Sequence, residues 1–225
     1  MREQLLLFRP RTDASFSNFF VAAANETVIH ALRDWLRRGT GLFYLHGVAQ
    51  CGRSHLLQAV CREVDAIYLP LAELREQDPV QVLDALENIP IICLDDVQAV
   101  IDDADWCEQL FHLFNRCIEN GTRLLMSADR ASANLSCALP DLQSRLQTGG
   151  DFRLQALSDD DLVLALQLRA RERGIELGDE VASYILTRQA RAFPALLLLL
   201  DRLDTQSLAE KKRITIPFIK SVIEK

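Results

Sequence analysis

Hydrophobic and polar positions along the chain follow two regimes, with the change near residue 157. Before it, short apolar runs alternate with longer segments in helical spacing. Phe43-Tyr44-Leu45-His46, Ala66–Pro70 and Ile91–Asp95 predict strands, as do Thr122–Ser127 and, at an edge, Phe152–Leu154. Apolar positions 56, 57 and 60 predict a helix opening at Ser54, and further helices are expected near 79–88, from about 105 to 119 and over Leu139–Leu146. Strands alternating with helices imply a parallel sheet flanked by helices. After residue 157 the pattern is helical throughout. Ser158 and Asp161 read as a capping box with acids in the first turn, while Arg169, Arg171 and Arg173 precede Gly174 at the far end. Helices are expected over 179–189, 193–206 and 216–224, the last with Thr215 as cap and Pro217 in its first turn. The pattern therefore predicts an α/β class chain, a parallel-sheet base over 13–156 and a small all-helical lid over 157–225, preceded by a flexible peptide over 1–12.

Candidate chemistry sits at the ends of two predicted strands. Residues 47–54, Gly-Val-Ala-Gln-Cys-Gly-Arg-Ser, follow the phosphate-cradling pattern GxxxxGK[ST] with arginine in the lysine position. Gly47 and Gly52 allow backbone conformations that turn successive N–H groups toward an anion, and the next helix aims its positive end at the same place. Ser54 would ligate Mg²⁺, and Arg53 would supply the cation for the outer phosphates. A guanidinium is a planar fork, bulkier than an ammonium and less able to follow a phosphate through a transition state. Nucleotide binding is thus expected to survive this substitution better than hydrolysis. The strand 91–95 ends in Asp95-Asp96, with Asp95 placed to hold Mg²⁺ through water and Asp96 to orient an attacking water. Taken singly, each motif also reads as an ordinary strand-to-helix turn or an acidic turn; their combination favours a nucleotide site.

Composition narrows the partners. The chain has 225 residues and a net charge of −7, which argues against a broad nucleic-acid face. The longest leucine run, Leu196–Leu200, is far short of a membrane span, and no signal peptide is evident, so a cytoplasmic protein is expected. Six cysteines show no CxxC pairing and read as reduced thiols, with Cys51 set apart by its place inside the phosphate loop. The four histidines have no metal spacing.

A phosphate loop, an apolar strand ending in Asp-Asp and a C-terminal helical lid together resemble the AAA+ ATPases, and most closely the DnaA-related family with its short Hda branch. The resemblance covers nearly the whole chain. It implies an AAA+ fold and an adenine nucleotide, ADP or ATP, with or without Mg²⁺. Ser15-Phe16-Ser17-Asn18-Phe19 looks like the family's segment bordering the adenine, which brings Phe16 and Phe19 to the site. Leu125–Arg130 looks like the sensor-1 strand, making Asp129 the sensor, and Leu139–Leu146 looks like the helix carrying an arginine finger, making Arg145 the finger. Without the resemblance both arginine-bearing segments read as surface ion-pair positions. Where the family tends to carry a sensor-2 arginine this chain has Pro194, with Arg191 about one turn earlier.

Gln4-Leu5-Leu6-Leu7-Phe8 resembles the short QLxLF peptide by which bacterial proteins dock on the DNA polymerase sliding clamp, with Gln4, Leu5, Leu7 and Phe8 as anchors. A short N-terminal strand is the plainer reading of these residues. DnaA would continue past its lid into a helix-turn-helix DNA-binding domain, whereas this sequence stops at Lys225, so direct origin recognition is not expected. The resemblance implies an Hda-like negative regulator that docks on the clamp and stimulates ATP hydrolysis by DnaA in trans, with weak or no ATPase of its own. Self-association is a further family expectation. A clamp-binding adaptor that uses no nucleotide, and an active ATPase of the DnaA or helicase-loader type, are the alternatives.

Overall fold

The computed structural model describes residues 13–188 and 193–223. The chain divides into two compact units, one ending at Ala156 and the other beginning at Leu157. In the first, strands β1 (Leu42–His46), β2 (Ala66–Pro70), β3 (Ile91–Asp95), β4 (Arg123–Ala128) and β5 (Gly150–Arg153) form one sheet in the order β2-β3-β4-β1-β5. Every pairing is parallel. The sheet's inner strands β1, β3 and β4 are buried on both faces, which is why they read as apolar runs, whereas the edge strand β5 is largely exposed.

The alternation along each strand sorts the core in two. Phe43 and Leu45 of β1, Ile91 and Cys93 of β3 and Leu125 of β4 join Val28, Ile29, Leu32 and Trp35 of helix α1 (Glu26–Arg38) and Leu56, Leu57 and Val60 of α2 (Arg53–Glu63). The alternate residues Tyr44, Ile92, Leu94, Leu124 and Met126 join Trp106, Leu110, Leu113 and Phe114 of α3 (Ala104–Asn120) and Leu142 and Leu146 of α4 (Pro140–Leu146). The base is therefore a three-layer α/β/α sandwich. Helix α1 was not among the expected elements, although Val28, Ile29, Leu32 and Trp35 repeat at helical spacing; the buried ring of Trp35 and its capping by Arg123, whose Nη1 donates to the Leu36 carbonyl at 2.8 Å, fix it against the sheet.

One expected helix is broken. The segment near 79–88 gives a single helical turn at Pro79–Val82, started by Asp78, then a left-handed Ala85 at φ 56° and a 3₁₀ turn at Leu86–Asn88. The carbonyls a helix would use internally are taken from outside. Arg116 donates to the Leu83 carbonyl at 3.0 Å, and Thr122 donates to that of Glu87 at 2.5 Å. Tertiary donors thus outcompete the local ladder.

In the second unit, α5 (Asp159–Arg171), α6 (Asp179–Arg188), α7 (Phe193–Glu210) and α8 (Ile216–Ile223) enclose Leu166, Ala170, Ile185, Leu196, Leu200, Leu203, Phe218 and Ile219. The Ser158 and Asp161 capping box is present, and the Gly174 turn closes α5 with Ile175 N–H donating to the Ala170 carbonyl at 3.0 Å. No helix among the described residues is long and apolar enough to cross a membrane.

Asn25 ties the chain's start to the end of the sheet. Its fully buried amide donates to the Gln155 carbonyl at 2.9 Å and accepts the Gln155 N–H at 2.8 Å, across 130 residues of sequence. Asn25→Ala should lower stability by about 2 kcal/mol, the net worth of two such bonds, as a reduced urea midpoint with an unchanged slope.

Candidate functional site

The candidate site forms where β1, β4 and β3 end, because a parallel sheet directs its loops and helix starts to one edge. After His46 the chain leaves β1, and Gly47 N–H donates to the Ala128 carbonyl at 3.2 Å, holding the loop to β4. A Cβ on Gly47 would meet the Leu154 carbonyl oxygen at 2.3 Å, so no other residue fits. Gln50 and Gly52 both take left-handed conformations, with φ 65° and 106°. A Cβ on Gly52 would also strike the Phe19 ring at 2.7 Å. Helix α2 then starts at Arg53 with no side chain capping its first N–H groups. An uncapped helix start behind a glycine loop is a fitting cradle for phosphate.

Arg53 does not project from this cradle. Its side chain is buried, with Nη1 donating to the Gly47 carbonyl at 2.8 Å and Nη2 to Asp96 Oδ1 at 3.0 Å. The guanidinium thus closes the loop on itself and joins it to the end of β3. Asp96, left-handed at φ 57°, also accepts from Gln98 Nε2 at 2.9 Å, and its own N–H donates to the Ser127 hydroxyl at 3.1 Å. Gln98 passes the connection on, accepting the Asp129 N–H at 3.1 Å.

Asp95 is only 2% exposed. The Tyr68 hydroxyl donates to its Oδ2 at 2.7 Å, and the Ser127 hydroxyl donates to its Oδ1. Burial, then the adjacent Asp95 charge, push the Tyr68 phenol well above its ordinary range, so it remains a donor. Both oxygens of the acid expected to bind Mg²⁺ through water are therefore held by protein hydroxyls. The donor set does not fit the Mg²⁺ role assigned to Ser54 and Asp95. Ser127 was legible as a hydroxyl inside an apolar strand, whereas Tyr68 and Gln98 gave no signal distinguishing them from core and loop residues.

The remaining expected residues do not share these contacts. Phe19 packs against Gly52 and lies 5.4 Å from the His55 ring, while Phe16 is buried in the core with Arg33 5.2 Å above its ring. The Asp129 carboxylate faces Arg130 in a two-pronged pair at 2.7 and 2.8 Å; that hydrogen bond holds its pKa below the usual carboxylate range. Arg145 lies on α4, half-buried, with its guanidinium 6.0 Å from the Phe114 ring centre and no carboxylate partner among the described residues. Pro194 stands in the first turn of α7. Gln4, Leu5, Leu7, Phe8 and Arg191 lie outside the described residues. The six cysteines are free thiols; Cys51 is buried in the loop, and burial raises its pKa.

The all-parallel sheet, the glycine loop leading into α2 and the separate helical unit define the AAA+ class. Its solved neighbours agree: domain III of the replication initiation protein DnaA from Thermotoga maritima superposes with a TM-score of 0.76 at 20% identity, covering 95% of this chain and 96% of that one. AMPPCP-bound DnaA from Aquifex aeolicus gives 0.69 at 20% identity over 90% of this chain and 69% of its own. The Thermotoga maritima RuvB Holliday junction branch migration motor gives 0.67 at 20% identity over 96% and 72%. Family models are more specific: residues 68–152 match the bacterial DnaA ATPase domain, and residues 159–223 match the Hda lid domain. Together the two models match an Hda-like, DnaA-related AAA+ protein.

His46 offers a pH test of the sheet edge. Its Nε2 lies 3.1 Å from Asp151 Oδ1, yet burial outweighs that acid, and Arg153 and Arg53 add to the lowering of its pKa below 6.5. A folded-state pKa below the unfolded value gives stability that is complete above about pH 6.5 and is lost as pH falls through the folded pKa. His46→Gln should therefore lose less stability than the parent between about pH 7.5 and 5.5, compared by urea denaturation.

Proposed function

We propose that the chain is a negative regulator of replication initiation: it docks on the DNA polymerase sliding clamp through residues 4–8, holds ADP in the loop 47–54 and presents Arg145 to DnaA-ATP. The observation that carries this reading is a contrast between two arginines. Arg53 is buried and committed to Gly47 and Asp96 within its own loop, whereas Arg145 rests on Phe114 with no acid partner among the described residues. A half-buried guanidinium supported on an aromatic face is pre-oriented and still has donors to give. Supplied across a subunit boundary, it would neutralise charge on the transferring phosphoryl group of another molecule's ATP.

The chain's own site is poorly arranged for turnover on this reading. Asp96, the candidate water-orienting group, is ion-paired with Arg53, and Pro194 cannot replace a phosphate-contacting arginine. Bound nucleotide is therefore held rather than turned over. AMPPCP in the Aquifex aeolicus DnaA neighbour supports an adenine nucleotide as the ligand. Self-association through the usual intersubunit nucleotide position belongs to the same proposal, as does a cytoplasmic location beside the replication machinery.

The adaptor reading has one observation in its favour, namely that Arg53 is engaged by Gly47 and Asp96 within its own protein. Thermal denaturation with ADP separates the two. A ligand at 100 times its Kd adds about 2.7 kcal/mol, so a raised Tm supports the regulator and an unmoved Tm supports the adaptor.

The decisive assay is hydrolysis by DnaA in the presence of DNA-loaded clamp. The parent should accelerate it; Arg145→Ala should abolish most of the stimulation, arginine fingers being worth on the order of 10³–10⁵ in rate. Equal stimulation by Arg145→Ala and the parent, with both folded by circular dichroism, would remove the finger from the proposal. Replacing Leu7 and Phe8 by Ala should reduce stimulation only when the clamp is required.

A further inference from the structure

We infer that the phosphate loop takes its nucleoside diphosphate without a divalent cation, the guanidinium of Arg53 doing the charge compensation that Mg²⁺ performs in related loops. The inference rests on the nucleotide reading above and concerns how that same site is loaded.

A magnesium ion in such a loop needs a hydroxyl, phosphate oxygens and waters anchored by a carboxylate, arranged nearly octahedrally at about 2.0–2.1 Å. Asp95 would anchor those waters, but at 2% exposure water does not reach it, and Tyr68 and Ser127 already donate to its two oxygens. Asp96 is the other acid at the same edge. Its Oδ1 carries both Arg53 Nη2 and Gln98 Nε2, at 3.0 and 2.9 Å, so a divalent cation approaching Asp96 would meet the positive charge of Arg53. What is left to a metal is the single hydroxyl of Ser54, which is not a coordination site.

The same contacts leave Arg53 able to serve phosphate. A guanidinium has five N–H donors, and Gly47 and Asp96 take two of them. Arg53 is itself the first residue of the uncapped α2, where the helix dipole adds positive potential. A planar fork can hold two phosphate oxygens at once, the geometry a metal would otherwise impose.

Titration calorimetry of the full chain with ADP, once in millimolar MgCl₂ and once in excess EDTA, tests this. The expected result is a Kd that changes by less than about threefold between the two buffers, which is under about 0.7 kcal/mol. Tyr68→Phe frees one oxygen of Asp95, so its binding should become tighter in MgCl₂ than in EDTA. Asp96→Asn keeps the left-handed turn and releases Arg53 from its acid, so its binding should tighten in both buffers. A parent whose binding weakens more than about threefold in EDTA overturns the cation-free site while leaving the nucleotide reading intact. No heat in either buffer, with a folded parent, overturns the nucleotide reading itself.

Discussion

The ion pair between Arg53 and Asp96 is the interaction on which the candidate site depends. It joins the glycine loop after β1 to the end of β3, two strands that are not neighbours, and it spans β4 to do so. The side chains are 9% and 31% exposed, so each charge is partly desolvated and each needs the other. Removing one partner leaves the second in a half-buried site with a reduced set of hydrogen bonds. Ser127 on the intervening β4 completes the span, since it donates to Asp95 and accepts from the Asp96 N–H. One hydroxyl thereby fixes the directions of two successive acids.

The sheet explains why these polar groups meet at all. With both faces covered by apolar helices, a charged side chain has only the strand ends in which to sit. The C-terminal edge collects Arg53, Asp95, Asp96, His46 and Asp129, and the burial of Tyr44 and Tyr68 beneath it drives their phenols to high pKa. Those phenols act as fixed donors, Tyr44 to the Arg130 carbonyl at 3.1 Å and Tyr68 to Asp95. The edge is thus rigid in hydrogen bonding before any ligand arrives, which is the condition for binding without reorganisation.

How much of this the sequence disclosed follows from range. Strands β1, β3 and β4 were legible because a doubly buried parallel strand is apolar almost throughout, and the lid helices because their caps and spacing are local signals. The 79–88 segment misled because the groups that break it, Arg116 and Thr122, lie tens of residues away. At the site, the glycines and the acid pair were legible as motifs whose backbone needs are local. The destination of Arg53 was not, since a lysine-position substitution says nothing about whether the side chain faces phosphate or folds back onto Gly47. Nor was the double occupancy of Asp95, which depends on Tyr68 and Ser127 arriving in register from β2 and β4.

These two illegible facts shape the division between binding and catalysis. An ordinary phosphate loop keeps its cation and its acids apart so that a metal and the transferring phosphoryl group can stand between them. Here the cation and the second acid touch, and the first acid is sealed under hydroxyls. Ground-state phosphate can still be held by backbone N–H groups and by the free side of a guanidinium, because neither demands movement. On the proposed reading a transition state cannot, because charge developing on the γ-phosphoryl would need Asp96 to orient water while Arg53 follows the migrating phosphorus, and each is tied to the other. On the proposed reading, the Arg53–Asp96 pairing is therefore the one that separates holding a nucleotide from hydrolysing it, whereas Arg145 has no such tie among the described residues.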